Sequence, residues 1–397
     1  MKIKITLFAI VILALCFSSS KSYAQTDSTE TPPSPPEVVN SPNGGAQKFL
    51  LAGKAGLTWQ SASPSVNDPS KNINSFNPIS LMLMPLVKIN SRLFLDGQIE
   101  VTANPNAGGG AGVNINELII YYRITPSINL FFGNFSPKYG LFLGVLDDFT
   151  NRFCTSPIGM NRGPQTQTGI GIQGGIQTGY SKINYHIYVS NGPQLQTDSV
   201  HYGQMTYGNY TDNNNGKSIG GSFGYLPFSN SNLQVDLSGQ YTAKTGDAST
   251  EFENVSSFSW AADLNYYHVF SPWMLRVLAE YNSTQTDKHL VYSDPSSTTP
   301  LAYSNFNNQL SGWFVGSTLR ASGSENEYFS KLEFGARYGS YSPPNNANVA
   351  WGGDPINQTT FVLTYWFSWK TPLNIAYDIQ RGAVNQDVIT VRTIYFF

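Results

Sequence analysis

A transmembrane antiparallel β-barrel of about sixteen strands is the fold the sequence predicts, and three observations predict it. The first is composition. Of 397 residues only 12% are charged while 14% are aromatic, yet mean hydropathy is −0.22. A soluble chain needs about twice that charge to cover its surface, and a helical membrane protein would be far more apolar. The second is period-two alternation of apolar and polar residues, segment after segment, with no sustained helical period. The third is the connections: short turns alternate with long loops, as in barrels whose tight turns lie on the periplasmic side.

The N-terminus reads as an export signal. Lys2 and Lys4 precede the apolar run 5–17, which is too short to span a bilayer as a helix, and Ser22-Tyr23-Ala24 forms a small-x-small cleavage site. Residues 1–24 are therefore the expected signal peptide, with Gln25 as the mature start. Cys16 follows Leu15, where a lipoprotein signal favours a small residue. Removing residues 1–24, which carry Lys2, Lys4 and Lys21 and no acid, takes the net charge from −2 to −5. That charge argues against nucleic acid as a partner. Cys154 is then the one cysteine left, so an intramolecular disulfide is excluded. Residues 25–47, with Thr31-Pro32-Pro33-Ser34-Pro35-Pro36, cannot bury apolar surface and read as an extended periplasmic linker.

From residue 48 to 397 the alternation begins. Leu93, Leu95, Gly97, Ile99 and Val101 fall on one face and Arg92, Phe94, Asp96, Gln98 and Glu100 on the other. Ile183, Tyr185, Ile187 and Val189 oppose Lys182, Asn184, His186 and Tyr188; 233–244 repeats the pattern. Strands are expected near 48–60, 76–89, 91–102, 113–124, 127–135, 168–180, 182–190, 217–226, 231–244, 256–270, 272–285, 308–321, 327–340, 358–370, 372–380 and 387–397. A soluble sandwich shares this periodicity. Strand length decides against it, since most segments are long enough to cross a bilayer at a tilt, where soluble strands average about 5–6 residues. The loops 61–75, 103–112, 136–167, 191–216, 245–255, 286–307 and 341–357 alternate with turns such as Asn90-Ser91, Ser271-Pro272 and Thr371-Pro372. The last strand ends on Phe397, with Tyr395 on the same face. A terminal aromatic on an alternating strand is what such barrels present to the barrel-assembly machinery, so Tyr395 and Phe397 are the expected assembly signal.

Other motifs carry less. Gly169-Ile170-Gly171-Ile172-Gln173-Gly174 matches a dinucleotide fingerprint, but Ile170, Ile172 and Ile176 alternate straight through it into another strand, with no following helix. Asp147-Asp148 could pair as acid and base, yet His186, His201, His268 and His289 are scattered, and no nucleophile–base or metal-ligand spacing stands out. No enzyme activity, cofactor or metal is expected.

Loop 136–167 is the informative one. It is the longest, and Leu141, Phe142, Leu143, Val145, Leu146, Phe149 and Phe153 make it unusually apolar. Exposed to water it would be an aggregation liability; folded into the lumen it would be buried against the wall. Its charges, Lys138, Asp147, Asp148, Arg152 and Arg162, would then line a constriction. The polar strand faces supply the lining: Lys54, Arg92, Arg123, Lys182, Lys244, Arg276, Lys331, Arg337, Lys370 and Arg392 against Asp96, Glu100, Glu117, Asp236, Asp263, Glu280, Glu333 and Asp378. Such a mixed lining suits hydrated solutes in a sixteen-stranded barrel.

The runs Leu93–Glu100, Glu117–Tyr122 and Asn184–Pro193 resemble those of Bacteroidetes outer-membrane porins and are similar to the phosphate-selective porin O/P group. The resemblance implies a sixteen-stranded porin in the outer membrane of a Gram-negative bacterium, in contact with lipid and often a homotrimer. The phosphate-selective members carry a lysine-rich ladder and pore arginines, whereas the lumen charge here is near balance. The expected function is passive diffusion of small polar solutes or ions. A substrate-specific anion or sugar channel, or a non-conducting barrel acting as an anchor or adhesin, are the alternatives.

Overall fold

The structure is a computed structural model. It describes residues 49–63, 73–104, 110–141, 151–160, 163–198, 201–208, 212–248, 250, 252–287, 291–292, 304–305, 308–344, 354–383 and 385–397. The expected signal peptide and linker lie outside these residues, as do Asp147, Asp148 and Arg162.

Sixteen antiparallel strands close into one barrel, each hydrogen-bonded to its neighbours in sequence order. They are β1 Phe49–Ala62, β2 Ile73–Lys88, β3 Leu93–Asn104, β4 Gly110–Thr125, β5 Ile128–Phe135, β6 Gln167–Thr178, β7 Ser181–Ser190 and β8 Ser218–Leu226. The remainder are β9 Leu233–Thr242, β10 Ser257–Phe270, β11 Trp273–Thr286, β12 Gln309–Arg320, β13 Leu332–Ser342, β14 Ile356–Ser368, β15 Thr371–Gly382 and β16 Gln386–Phe396. Every expected strand is present, with ends shifted by a few residues. The ring closes where β1 pairs with β16, Lys54 opposite Phe396 and Thr58 opposite Arg392. Closure leaves no strand edge unpaired, which a bilayer core requires.

The faces are inverted relative to a soluble protein. On β16, Thr390, Arg392 and Ile394 are buried while Ile389 and Tyr395 are exposed. On β7, His186, Tyr188 and Ser190 are buried while Ile187 and Val189 are exposed. On these strands the outward face is apolar, and the inward face mixes polar residues with a few apolar ones such as Ile394. The sequence Gly169–Gly174 lies within β6. Gly171 faces inward, where a Cβ would fall 2.5 Å from the Phe131 ring.

The structure adjusts several local expectations. The strand expected from 327 starts at Leu332; Glu327–Ser330 forms a helical turn, α1, because the Asn326 side chain accepts from the Tyr328 and Phe329 N–H groups at 3.1 Å each. Lys331 caps that turn one residue before β13 and pairs with Glu327 at 2.5 Å. The same contact holds the Glu327 carboxyl below its ordinary range. Arg92 sits in the exposed bend one residue before β3, where Asn90 Oδ1 accepts from its N–H at 2.8 Å and its carbonyl accepts from the Arg123 N–H at 2.8 Å. Lys244 and Lys370 fall beyond their strands; Lys244 pairs with Glu253 at 2.6 Å in a loop. Loops 191–216 and 286–307 each contain a two-residue hairpin, at 194–195 with 205–206 and at 291–292 with 304–305.

Candidate functional site

The described parts of loop 136–167 lie against the inward faces of β9 to β16. Gly140 N–H donates to Ser238 Oγ at 2.9 Å and Leu141 N–H to Glu280 Oε2 at 2.9 Å. Gly140 holds φ +61°, and a Cβ there would fall 2.4 Å from Glu280 Oε1, so only glycine brings the backbone this close to the carboxylate. Tyr139 Oη donates to the Trp260 carbonyl at 2.9 Å. Further on, Ile158 N–H reaches Gln358 Oε1 at 3.0 Å. Thr155 Oγ1 donates to Asp378 Oδ2 at 2.7 Å.

Two wall arginines clamp the same segment. Arg337 donates to the Thr155 carbonyl at 2.8 Å, to Thr155 Oγ1 at 3.1 Å and to Thr360 Oγ1 at 3.0 Å, and pairs with Asp378 at 3.8 Å. Arg392 donates to the Cys154 carbonyl at 3.2 Å and to the Asn151 carbonyl. Asn151 shapes the turn itself, its side chain accepting from Phe153 N–H at 3.1 Å and donating to the Thr155 carbonyl at 2.8 Å. Apolar side chains of the loop then find seats in the wall. Phe153 packs with Val362 and Ala376 over Gly316, and Leu141 and Met160 pack with Leu278 and Phe314 beside Gly312. A Cβ at Gly312 would stand 2.6 Å from Met160 Cε. Burying one such side chain contributes about 1.5–3 kcal/mol.

The expected lining residues divide accordingly. Glu280, Glu333, Arg337 and Arg392 face inward, yet they lie beneath the loop with 3–5% exposure. Arg152 of the loop lies 3.8 Å from Glu333 and 4.5 Å over the Trp366 ring, whose Nε1–H donates to Glu333 at 2.9 Å. Arg276, inward on β11, donates to Asn265 at 3.3 Å. Lys138 is exposed, with Asp236 within electrostatic reach. Asp236, Asp263 and Glu280 stand directly opposite one another on three adjacent strands. Asp96, Glu100, Glu117 and Arg123 face inward on β3 and β4, Arg123 standing 5.0 Å over Phe94. Lys54 is inward on β1 and 2% exposed.

Cover over the inner wall is thus one-sided. Inward residues of β7 to β16 are mostly buried, by the loop and by an aromatic cluster in which Phe131 stacks on His186 at 4.9 Å. Those of β2 and β3 are half-buried or exposed. Loop 191–216 adds cover: the Tyr207 hydroxyl meets Ser259 Oγ at 3.2 Å, and Thr286 and Asn308 hydrogen-bond the Gly203 carbonyl. Sequence reasoning counted 191–216 only as one of the long loops. It also missed the partners that depend on three-dimensional register, namely Trp366, Thr155, Asn151 and the glycine seats on β12.

No family model matches the sequence, and no curated protein matches it either. Solved structures do match over 88% of the chain. OmpF of Salmonella typhi, in complex with daunomycin, superposes with a TM-score of 0.57 at 14% identity over 97% of its own chain. The outer membrane channel DcaP of Acinetobacter baumannii gives 0.55 at 11% over 97%. The anion-selective porin of Comamonas acidovorans gives 0.53 at 14% over 99%. The fold is that of an outer-membrane porin. A closed barrel with an apolar outside and a polar inside is a membrane-spanning structure, and in a Gram-negative cell this architecture belongs to the outer membrane.

Proposed function

We propose that this chain is a porin through which small hydrated solutes or ions diffuse passively, with a pore narrowed by loop 136–167. One observation carries the reading. The loop hydrogen-bonds to inward-facing residues of β9, β11, β14 and β15 and is gripped by Arg337 and Arg392, while among the described residues the inward side chains of β2 and β3 stay half-buried or exposed. Selectivity then comes from pore diameter and lining charge. Asp147, Asp148, Arg152 and Arg162 belong to the narrow zone in this reading, where charge acts on passing ions with least screening. Kinship with the phosphate-selective porins of Bacteroidetes, and assembly as a homotrimer, are parts of the same proposal and rest on the sequence resemblance.

The test is single-channel recording of the purified protein in a planar bilayer. Steady conductance in KCl is expected, and deletion of residues 142–160 raises it. Asp147→Asn with Asp148→Asn moves the reversal potential in a salt gradient toward anion preference, and Arg152→Gln with Arg162→Gln moves it toward cations. A correctly assembled wild-type barrel that does not conduct refutes the reading and favours the anchor or adhesin alternative. Unchanged conductance in an assembled deletion variant refutes the role of the loop.

A further inference from the structure

The uncovered wall has a chemistry of its own. From Leu81 to Val87 strand β2 is apolar on both faces, with Ser80 before this run and Lys88 after it. Leu81, Leu83 and Val87 point to the lipid side, while Met82, Met84 and Leu86 point inward, because Met82 stands opposite Lys54 and Glu100 and Leu86 opposite Asp96. Inward Met82 and Met84 are half-buried and Leu86 is 37% exposed, whereas inward side chains across the barrel, such as Glu280, lie under the loop. Met82 to Leu86 gives an apolar stripe about 13 Å long at the usual strand rise.

Beside the stripe runs a row of carboxylates: Asp96 and Glu100 on β3, then Glu117 on β4, opposite Gln98. Glu100 accepts from Asn116 at 3.1 Å and Glu117 from the Ser136 N–H at 3.1 Å, both neutral donors. Among the described residues none of the three forms an ion pair with a lysine or arginine, while Arg337 and Arg152 across the lumen are held by Asp378 and Glu333. Side chains directly opposite on adjacent strands lie about 5 Å apart, so a cation held at the carboxylates would have apolar wall within one side chain's length.

We infer that the β2–β4 wall is a binding track for amphipathic cations, solutes that join a protonated amine to an alkyl or aromatic body. This rests on the porin reading and names the solute class for its pore. The amine exchanges water for Glu117 together with either Asp96 or Glu100, which flank it on the neighbouring strand, and the hydrocarbon lies along Met82, Met84 and Leu86. Full burial of a methylene would tighten binding about fourfold, and a one-sided wall about half as much per methylene.

The experiment uses the full-length protein in planar bilayers with methylammonium, n-butylammonium, n-hexylammonium and, as the anionic controls, acetate and hexanoate. Hexylammonium is expected to block or dwell in the pore roughly tenfold or more tightly than methylammonium, with hexanoate showing no such gain over acetate. Met84→Thr with Leu86→Thr flattens the dependence on chain length. Asp96→Asn with Glu100→Gln weakens all the ammonium ions together. Should the double variants fail to assemble, Met84→Thr and Glu100→Gln singly give the same readouts. A wild-type channel that conducts KCl but treats hexylammonium and methylammonium alike overturns the track while leaving the porin reading intact, as does tighter binding of hexanoate. Absence of KCl conductance overturns both.

Discussion

Replacing Arg337 by methionine probes the grip of the wall on loop 136–167. The guanidinium is 3% exposed as a residue, pairs with Asp378 at 3.8 Å and makes three hydrogen bonds of 2.8–3.1 Å to Thr155 and Thr360. Methionine conserves much of the volume but leaves Asp378, 1% exposed, with only neutral donors. Removing one partner of a buried ion pair costs about 3–5 kcal/mol. The barrel ladder need not absorb that loss, because the loop can lift and let water reach Asp378. The equilibrium between seated and lifted loop should therefore shift by roughly a hundred- to a few-thousand-fold. Limited proteolysis of the detergent-solubilised barrel reads this directly: the loop becomes cleavable while the sixteen strands stay heat-modifiable on gels. Adding Asp378→Asn removes the orphaned charge, so the double variant R337M/D378N should recover protection toward wild type, and the two substitutions should be non-additive. Equal cleavage of wild type and Arg337→Met, or strictly additive effects in the double variant, would refute the clamp.

Three further outcomes are expected. Gly53→Val should weaken assembly, because Gly53 and Phe397 exchange two backbone hydrogen bonds of 3.0 Å and a Cβ at Gly53 would stand 2.2 Å from the Phe397 ring, which must swing out of its seat on β1; a heat-modifiable Gly53→Val band at wild-type level and wild-type urea midpoint would contradict this. Ile389→Lys puts charge on the lipid face of β16, where Ile389 is 42% exposed, and should cost up to about 2–4 kcal/mol depending on depth, read as a lower urea midpoint for unfolding in lipid vesicles. Thr197→Cys, exposed in loop 191–216, should label with a membrane-impermeant maleimide on intact cells, whereas Gly179→Cys in the β6–β7 turn should label only after the outer membrane is opened; equal labelling would invert or break the topology.

The sequence by itself determined the barrel. Period-two alternation marks which side of each strand meets lipid, and the alternation of turn and loop lengths orders the strands around the ring, because each strand pairs with its chain neighbour and no long-range choice remains. Leu81 to Val87 even carried the signature of the inward stripe, a run apolar on both strand faces, although alternation alone gave no reason to assign it a use. Local chemistry decided the misplaced start at 327: the Asn326 cap favours a helical turn over two more strand residues. Only the tertiary structure decided what touches what across the lumen. Thr155 lies 223 positions from Asp378 and 182 from Arg337, and Arg392 lies 238 from Cys154. Such contacts depend on strand tilt, register and the path of a loop without periodicity, so no local pattern encodes them. For the same reason Glu280, Glu333, Arg337 and Arg392 read as lining from their strands alone, and the folded loop is what separates the covered wall from the open one.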